Sequence, residues 1–208
     1  MFARSVDKPF GFILLNSPWL PCVLDQLPPQ TTIVYGDQAI LCSVVRKFVP
    51  SVLLPLGIQN PILVIRSNTG FEELHIPEEL FGEARDGQGD DQFYDWIDEK
   101  WRFRMAPKRG RQLYVTRAAL GSLVGRHSCE DHVERLLVGD GYEVYAPKQY
   151  TIPDLVEAFL SADKLIFAEG SALHLFSLAR QPHQLSAVIQ RRHDLPPVMP
   201  NQMVDRIE

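Results

Sequence analysis

Cysteine is scarce: Cys22, Cys42 and Cys129 are far apart and odd in number. No close pair of the kind that holds zinc or shuttles electrons is present, so the thiols are expected to serve as small buried hydrophobes or cap residues. His127, His132, His183 and His193 show no metal-ligand spacing. Uninterrupted apolar runs of the ~18 to 20 residues needed to cross a membrane are missing, as is a charged, apolar and small-residue leader pattern. The chain is therefore expected in the cytosol. Positive charge is not in excess: the formal net charge is -5, which argues against a protein built around a nucleic-acid backbone. Proline and glycine, 16 and 13 residues of 208, are too few to indicate disorder, and 45% hydrophobic with 23% charged residues matches a folded globular chain. No internal repeat, low-complexity tract or Gly-x-Gly-x-x-Gly after a strand is found, which excludes repeat architectures and disfavours dinucleotide enzymes such as sugar epimerases.

What is present is alternation. The length allows one large domain or two small ones. In the first half, Phe10 to Leu15, Thr31 to Tyr35 and Ile62 to Ile65 are short apolar or β-branched runs that suit buried strands. Gln38 to Leu54 has the length of a helix that Pro50 should kink or end. Asp91 to Arg104 carries Phe93, Trp96, Ile97 and Trp101 at helical spacing. The basic, Gly-containing stretch Pro107 to Arg111 marks a boundary, dividing the chain into 1-107 and 108-208. In the second half, strands at Leu113 to Thr116, Tyr142 to Tyr145, Leu165 to Phe167 and Leu185 to Ile189 alternate with helices at Ser128 to Val138, Thr151 to Leu160 and Ser171 to Leu178. That alternation predicts right-handed βαβ units, a parallel sheet and an α/β fold. Ser128 with Asp131 and Thr151 with Asp154 have helix-cap spacing, and Pro153 falls in a first turn. Arg191 to Glu208, with three prolines and no apolar period, reads as a tail or the start of a missing segment.

In open α/β sheets ligands bind beyond the carboxyl ends of the strands. That rule selects Arg117 to Arg126, Ala146 to Tyr150 and Ala168 to His174. In the third stretch, Glu169, Gly170 and Ser171 run from a strand straight into a helix. Gly170 permits close approach of a ligand, and the first-turn amides with the helix dipole favour a phosphate. The plainer alternative is a connection with Ser171 as N-cap. In the first stretch, Arg117 and Arg126 have the planar fork that clamps a diphosphate, unless both are solvated loop charges. Glu130 either complements a helix dipole, accepts from ribose hydroxyls or orients one of the arginines.

The succession Tyr114-Val115-Thr116-Arg117, Arg126, Glu130, Gly141-Tyr142-Glu143-Val144, Ala162-Asp163-Lys164-Leu165-Ile166 and Glu169-Gly170-Ser171-Ala172-Leu173-His174 resembles, in order and spacing, the motif blocks of glycosyltransferase family 61. That group includes bacterial capsular polysaccharide transferases. Asp25, Leu27 and Pro28 resemble its early Asp-x-Leu-Pro element, and Leu56-Gly57-Ile58 its Leu-Gly-Ile. Two positions depart from the pattern: Cys129 stands where Asn is usual and Glu169 where many members have His.

The resemblance implies a GT-B-like fold of two Rossmann-type halves with mainly parallel sheets. The acceptor-side half is 1-107 and the nucleotide-sugar half 108-208, the latter truncated relative to longer members. It implies transfer of a sugar from a nucleotide-sugar to a surface polysaccharide or lipid-linked glycan, inverting and without a cofactor or metal, in the cytoplasm or at the inner face of the membrane. No Asp-x-Asp metal motif is found, and Asp90-Asp91 falls in an acidic surface loop. Direct displacement at the anomeric carbon needs positive groups for the departing diphosphate and a base for the acceptor hydroxyl. Arg117, Arg126 and the Gly170-Ser171 amides suit the first need. Asp25, Glu169 and His174 are the candidate bases, each with a structural alternative: a turn cap, a partner for arginine and a core histidine respectively. The competing expectation is a non-catalytic remnant that binds a nucleotide or a partner.

Overall fold

The structure, a computed structural model, describes residues 2–3, 26–36, 50–51, 53–65, 67–76, 89–102, 110–120, 125, 127–193 and 201. Asp25, Arg126, the run Phe10 to Leu15 and most of the Gln38 to Leu54 segment lie outside the described residues. The chain forms two compact units, Met1–Lys100 and Trp101–Glu208.

In the first unit, β1 (Phe2–Ala3), β2 (Ile33–Gly36) and β3 (Ile62–Ile65) form a parallel sheet in that order, with Ile33 opposite Ile62 and Gly36 opposite Ile65. The β1 segment, two residues long, carries no signal in the sequence. A 3-10 turn at Leu54–Leu56 precedes β3 and ends at Gly57, whose φ of 82° lies in the left-handed region where a side chain is strained. Leu53, Leu56 and Ile58 around it are buried. Pro50 and Ser51 are helical, while the residues before them, on which the expected kink or end depends, lie outside the described residues. Helix α1 (Asp91–Arg102) buries Phe93 and Ile97 at 1% exposure each. Two of the positions expected at helical spacing, Phe93 and Ile97, therefore face a core, while Trp96 is half-buried. The division between the units falls near the end of this helix, some residues before the basic stretch expected to mark it.

The second unit is a four-stranded, wholly parallel sheet. Its strands are β4 (Arg111–Val115), β5 (Glu143–Tyr145), β6 (Ala162–Ala168) and β7 (Leu185–Ile189), ordered β5-β4-β6-β7. Between them run α2 (Glu130–Gly139), α3 (Ile152–Ser161) and α4 (Ala172–Ala179). Parallel strands joined by helices, with the order reversing between β4 and β6, make a Rossmann-like α/β unit.

Its core explains the pairing. Phe167 of β6, Phe159 of α3 and Phe176 of α4 are each 0% exposed and meet at centroid separations of 4.9 to 5.8 Å. Helix α4 has seven buried residues of eight, so its face is apolar almost all round. Two sequence expectations are corrected. Strand β6 begins at Ala162, three residues before the apolar run, because it is an interior strand: Ala162 pairs with Arg111, and Lys164 with Gln112 and Leu185. Ladder bonds on both sides hold polar residues that local pattern would leave in a loop. Ser128 does not cap α2, which starts at Glu130 after Cys129, without a side-chain cap bond. Thr151, by contrast, makes the full capping box with Asp154 that its spacing predicts.

Candidate functional site

At the carboxyl end of this sheet the four strand tips are stitched together by hydrogen bonds. The Thr116 amide donates to Tyr145 O at 3.0 Å, joining the ends of β4 and β5. The Glu169 amide donates to Ile189 O at 3.0 Å, joining β6 and β7. His127 Nε2 lies 3.2 Å from the same Ile189 O; since a carbonyl only accepts, that nitrogen carries the proton in this contact. The tips of β4, β6 and β7 thus frame one edge, at the point where the strand order reverses.

Two buried carboxylates organise it. Glu130, 1% exposed, accepts from the Arg117 amide through Oε1 and from the His127 amide through Oε2 at 3.3 Å. The Thr116 hydroxyl lies 3.0 Å from Glu130 Oε1 and 2.6 Å from Glu134 Oε1, so its single proton serves two carboxylates. Of the roles open to Glu130, these bonds fit best the orienting of an arginine, through the backbone of Arg117 rather than its guanidinium.

Glu169, 0% exposed, is the second. It accepts from the amides of Arg191 and Arg192 at 2.8 and 3.0 Å and from Arg192 Nε, pairs with Arg192 Nη2, and has Arg191 Nη2 at 4.0 Å. Burial pushes the Glu169 carboxyl up, but the Arg191 and Arg192 amides and the Arg192 guanidinium outweigh it, holding the group below the ordinary carboxylate range. A carboxylate so occupied fits the arginine-pairing role better than that of a base. His174, 5% exposed on α4, is within the core of its helix, and its carbonyl accepts from the Ser177 hydroxyl at 2.8 Å.

The guanidiniums of Arg117 and Arg191 lie against glycines. A Cβ on Gly170 would collide with Nη1 of Arg117 and sit 3.1 Å from its Cδ and Cζ. A Cβ on Gly125 would lie 2.6 Å from Nη1 of Arg191, and Gly125 also has a φ of 73°. Arg117 Nε donates to Gly125 O at 3.1 Å, so the two contacts are linked. Burial lowers the Arg117 pKa, and the like charge of Arg191 adds to that effect. Cations are therefore crowded across the tips of β4 and β6, beside the first turn of α4. Ser171 takes the N-cap position of α4 in helical conformation, with no side-chain cap bond. Among the described residues nothing accepts from the amides of Gly170, Ser171 and Ala172.

The structure thus brings together Arg117, Glu130, Glu169, Gly170 and Ser171, while Asp25 and Arg126 lie outside the described residues. Arg191, Arg192, His127 and Gly125 were missed by sequence reasoning. The strand-end rule points to Arg191 and Arg192 once it is applied to the fourth strand, Leu185 to Ile189, as well as to the first three. No group of three His, Cys, Asp or Glu among the described residues is placed to hold a metal ion, and no helix among them is long and apolar enough to cross a membrane. Comparisons of the chain with protein-family models, curated proteins and solved structures find no match.

Proposed function

We propose that the second unit binds the diphosphate of a nucleotide-sugar, and that the chain is a glycosyltransferase resembling family 61, with a GT-B-like arrangement and a surface polysaccharide or glycan as acceptor. The single observation that carries this is the packing of Arg117 on Gly170 and of Arg191 on Gly125 at the switch point of a parallel sheet. Side chains at those glycines would obstruct the guanidiniums, and the switch point is where open α/β sheets bind ligands. Anchored by Glu130 and Glu169, the arginines need little reorganisation to meet a dianion, and the α4 amides lie alongside. In transfer they would stabilise the charge that develops on the leaving diphosphate as the anomeric carbon passes to the acceptor oxygen. The resemblance supplies the inverting, metal-independent course and the cytoplasmic setting.

Calorimetric titration with uridine, guanosine and cytidine diphosphates tests the assignment. Arg117→Ala and Arg191→Ala should each weaken binding by about 1.5 to 3 kcal/mol, the scale of a hydrogen bond to a charged group. Unchanged affinity in both variants, with melting temperatures near wild type, would remove the diphosphate site.

One observation favours a second reading, a nucleotide-binding protein without transferase activity. Glu169 is saturated by arginine and amide donors and His174 is buried, so two of the three candidate bases are engaged elsewhere. Release of free sugar or transfer to a glycan acceptor from a panel of nucleotide-sugars separates the two readings.

A further inference from the structure

One strand away from Arg117, the ring of Tyr145 at the end of β5 stacks on that of Tyr150, and the guanidinium of Arg111, the first residue of β4, lies beside the inner ring. Arg111 is held by Glu143 through two bonds of 3.0 and 2.7 Å and by Ser161 Oγ at 3.1 Å, and its guanidinium lies 6.0 Å from the centroid of the Tyr145 ring. The Tyr145 ring stacks on Tyr150 at 4.0 Å between centroids and 8° between planes. Tyr145 is buried and fixed by its hydroxyl, which donates to Asp154 O at 3.3 Å. Tyr150 is the outer ring of the stack and is 41% exposed. Its backbone is pinned by a one-turn 3-10 segment, with the Tyr150 amide donating to Pro147 O at 3.2 Å.

An exposed aromatic ring held flat by a buried one is a preorganised stacking surface, since little rotamer freedom remains to be lost on binding. Its place in the fold adds to this. In mononucleotide-binding α/β units the nucleoside is met at the end of the second strand and the phosphates at the switch point. Here the second strand of the unit is β5, and β4 separates it from β6. With neighbouring strands ~4.8 Å apart, the tips of β5 and β6 stand roughly 10 Å from each other. The ribose and two phosphates of a nucleotide bridge a gap of that order.

We propose that Tyr150, backed by Tyr145, is the platform on which the base of a nucleoside diphosphate stacks while its phosphates meet Arg117 and Arg191. This rests on the diphosphate reading above and adds the base-recognition surface to it. Stacking of this kind tolerates any base, so Tyr150 supplies affinity rather than choice among bases.

The experiment compares uridine diphosphate with ribose 5-diphosphate, which lacks the base, in calorimetric titrations of the full chain. Wild type should bind uridine diphosphate more tightly. Tyr150→Ala should weaken uridine diphosphate binding about tenfold or more, from the known scale of base stacking, and leave ribose 5-diphosphate unchanged. Tyr150→Phe and Tyr150→Trp should keep the wild-type preference, because a flat ring suffices. Arg117→Ala should weaken both ligands. If ribose 5-diphosphate binds as well as uridine diphosphate, or Tyr150→Ala weakens both equally or neither, the platform is wrong while the diphosphate site stands. If wild type binds neither ligand, both proposals fall.

Discussion

Glu169 stands at the end of β6 with no exposure, in a position where sequence alone offers a base, with an arginine partner as the structural alternative. Distance decided it: the nearest donors come from Arg191 and Arg192, residues that local pattern assigned to a tail. Arg117 and Gly170 were legible because each follows a clear apolar strand, and the strand-end rule needs only that. The contact between them was not, since a guanidinium's reach across a neighbouring strand depends on register. A native pKa below that of the unfolded chain makes the Glu169 carboxylate stabilising above about pH 4.3, the ordinary value for Glu. Its contribution fades as pH falls through the lower native value. Glu169→Gln, which keeps the shape and loses the charge, should therefore be about 1.5 to 3 kcal/mol less stable at neutral pH, the worth of a charged hydrogen bond. It should also lose less stability than wild type as the solution is acidified below that point. Urea unfolding at a series of pH values checks this, and equal slopes for the two proteins would contradict it.

At the scale of elements, α3 and β7 were read nearly to the residue, and the reasons differ. Strand β7 is bounded by polar residues on both sides, and α3 is announced by Thr151, Pro153 and Asp154, whose chemistry is local. Helix α2 was placed two residues early because its opening is governed by a long-range bond network around Glu130, which no window of sequence contains. The end of α3 is also settled at a distance. Gln184 Nε2 donates to Phe159 O at 2.6 Å and Ala162 O at 2.7 Å, satisfying carbonyls where the helix turns directly into β6. Thr151→Ala removes the hydroxyl that accepts from the Asp154 amide, and should lower stability by about 1 kcal/mol. Thr151→Ser should restore most of it. Thermal unfolding with both variants is the check; an alanine variant as stable as wild type would mean that the cap contributes nothing.

Across the whole molecule, alternation of short apolar strands with helices was enough to foresee parallel α/β units, because that connectivity permits few other architectures. The strand order β5-β4-β6-β7 was not legible, since pattern gives the strands but not their neighbours. That order places the switch point between the tips of β4 and β6. Of the residues that carry the resemblance to a glycosyltransferase family, Arg117, Glu130, Glu169, Gly170 and Ser171 converge at those tips. The same five residues occupy the region where a diphosphate is proposed to bind. Amide proton and nitrogen resonances followed as uridine diphosphate is added report where a ligand is held without assuming any residue's role. The proposal predicts saturable shifts concentrated at Gly125, at Glu169 through Ala172 and at Arg191 and Arg192. Saturable shifts confined to other parts of the chain, or none at millimolar nucleotide in a folded protein, would contradict the assignment of this sheet edge as a diphosphate site.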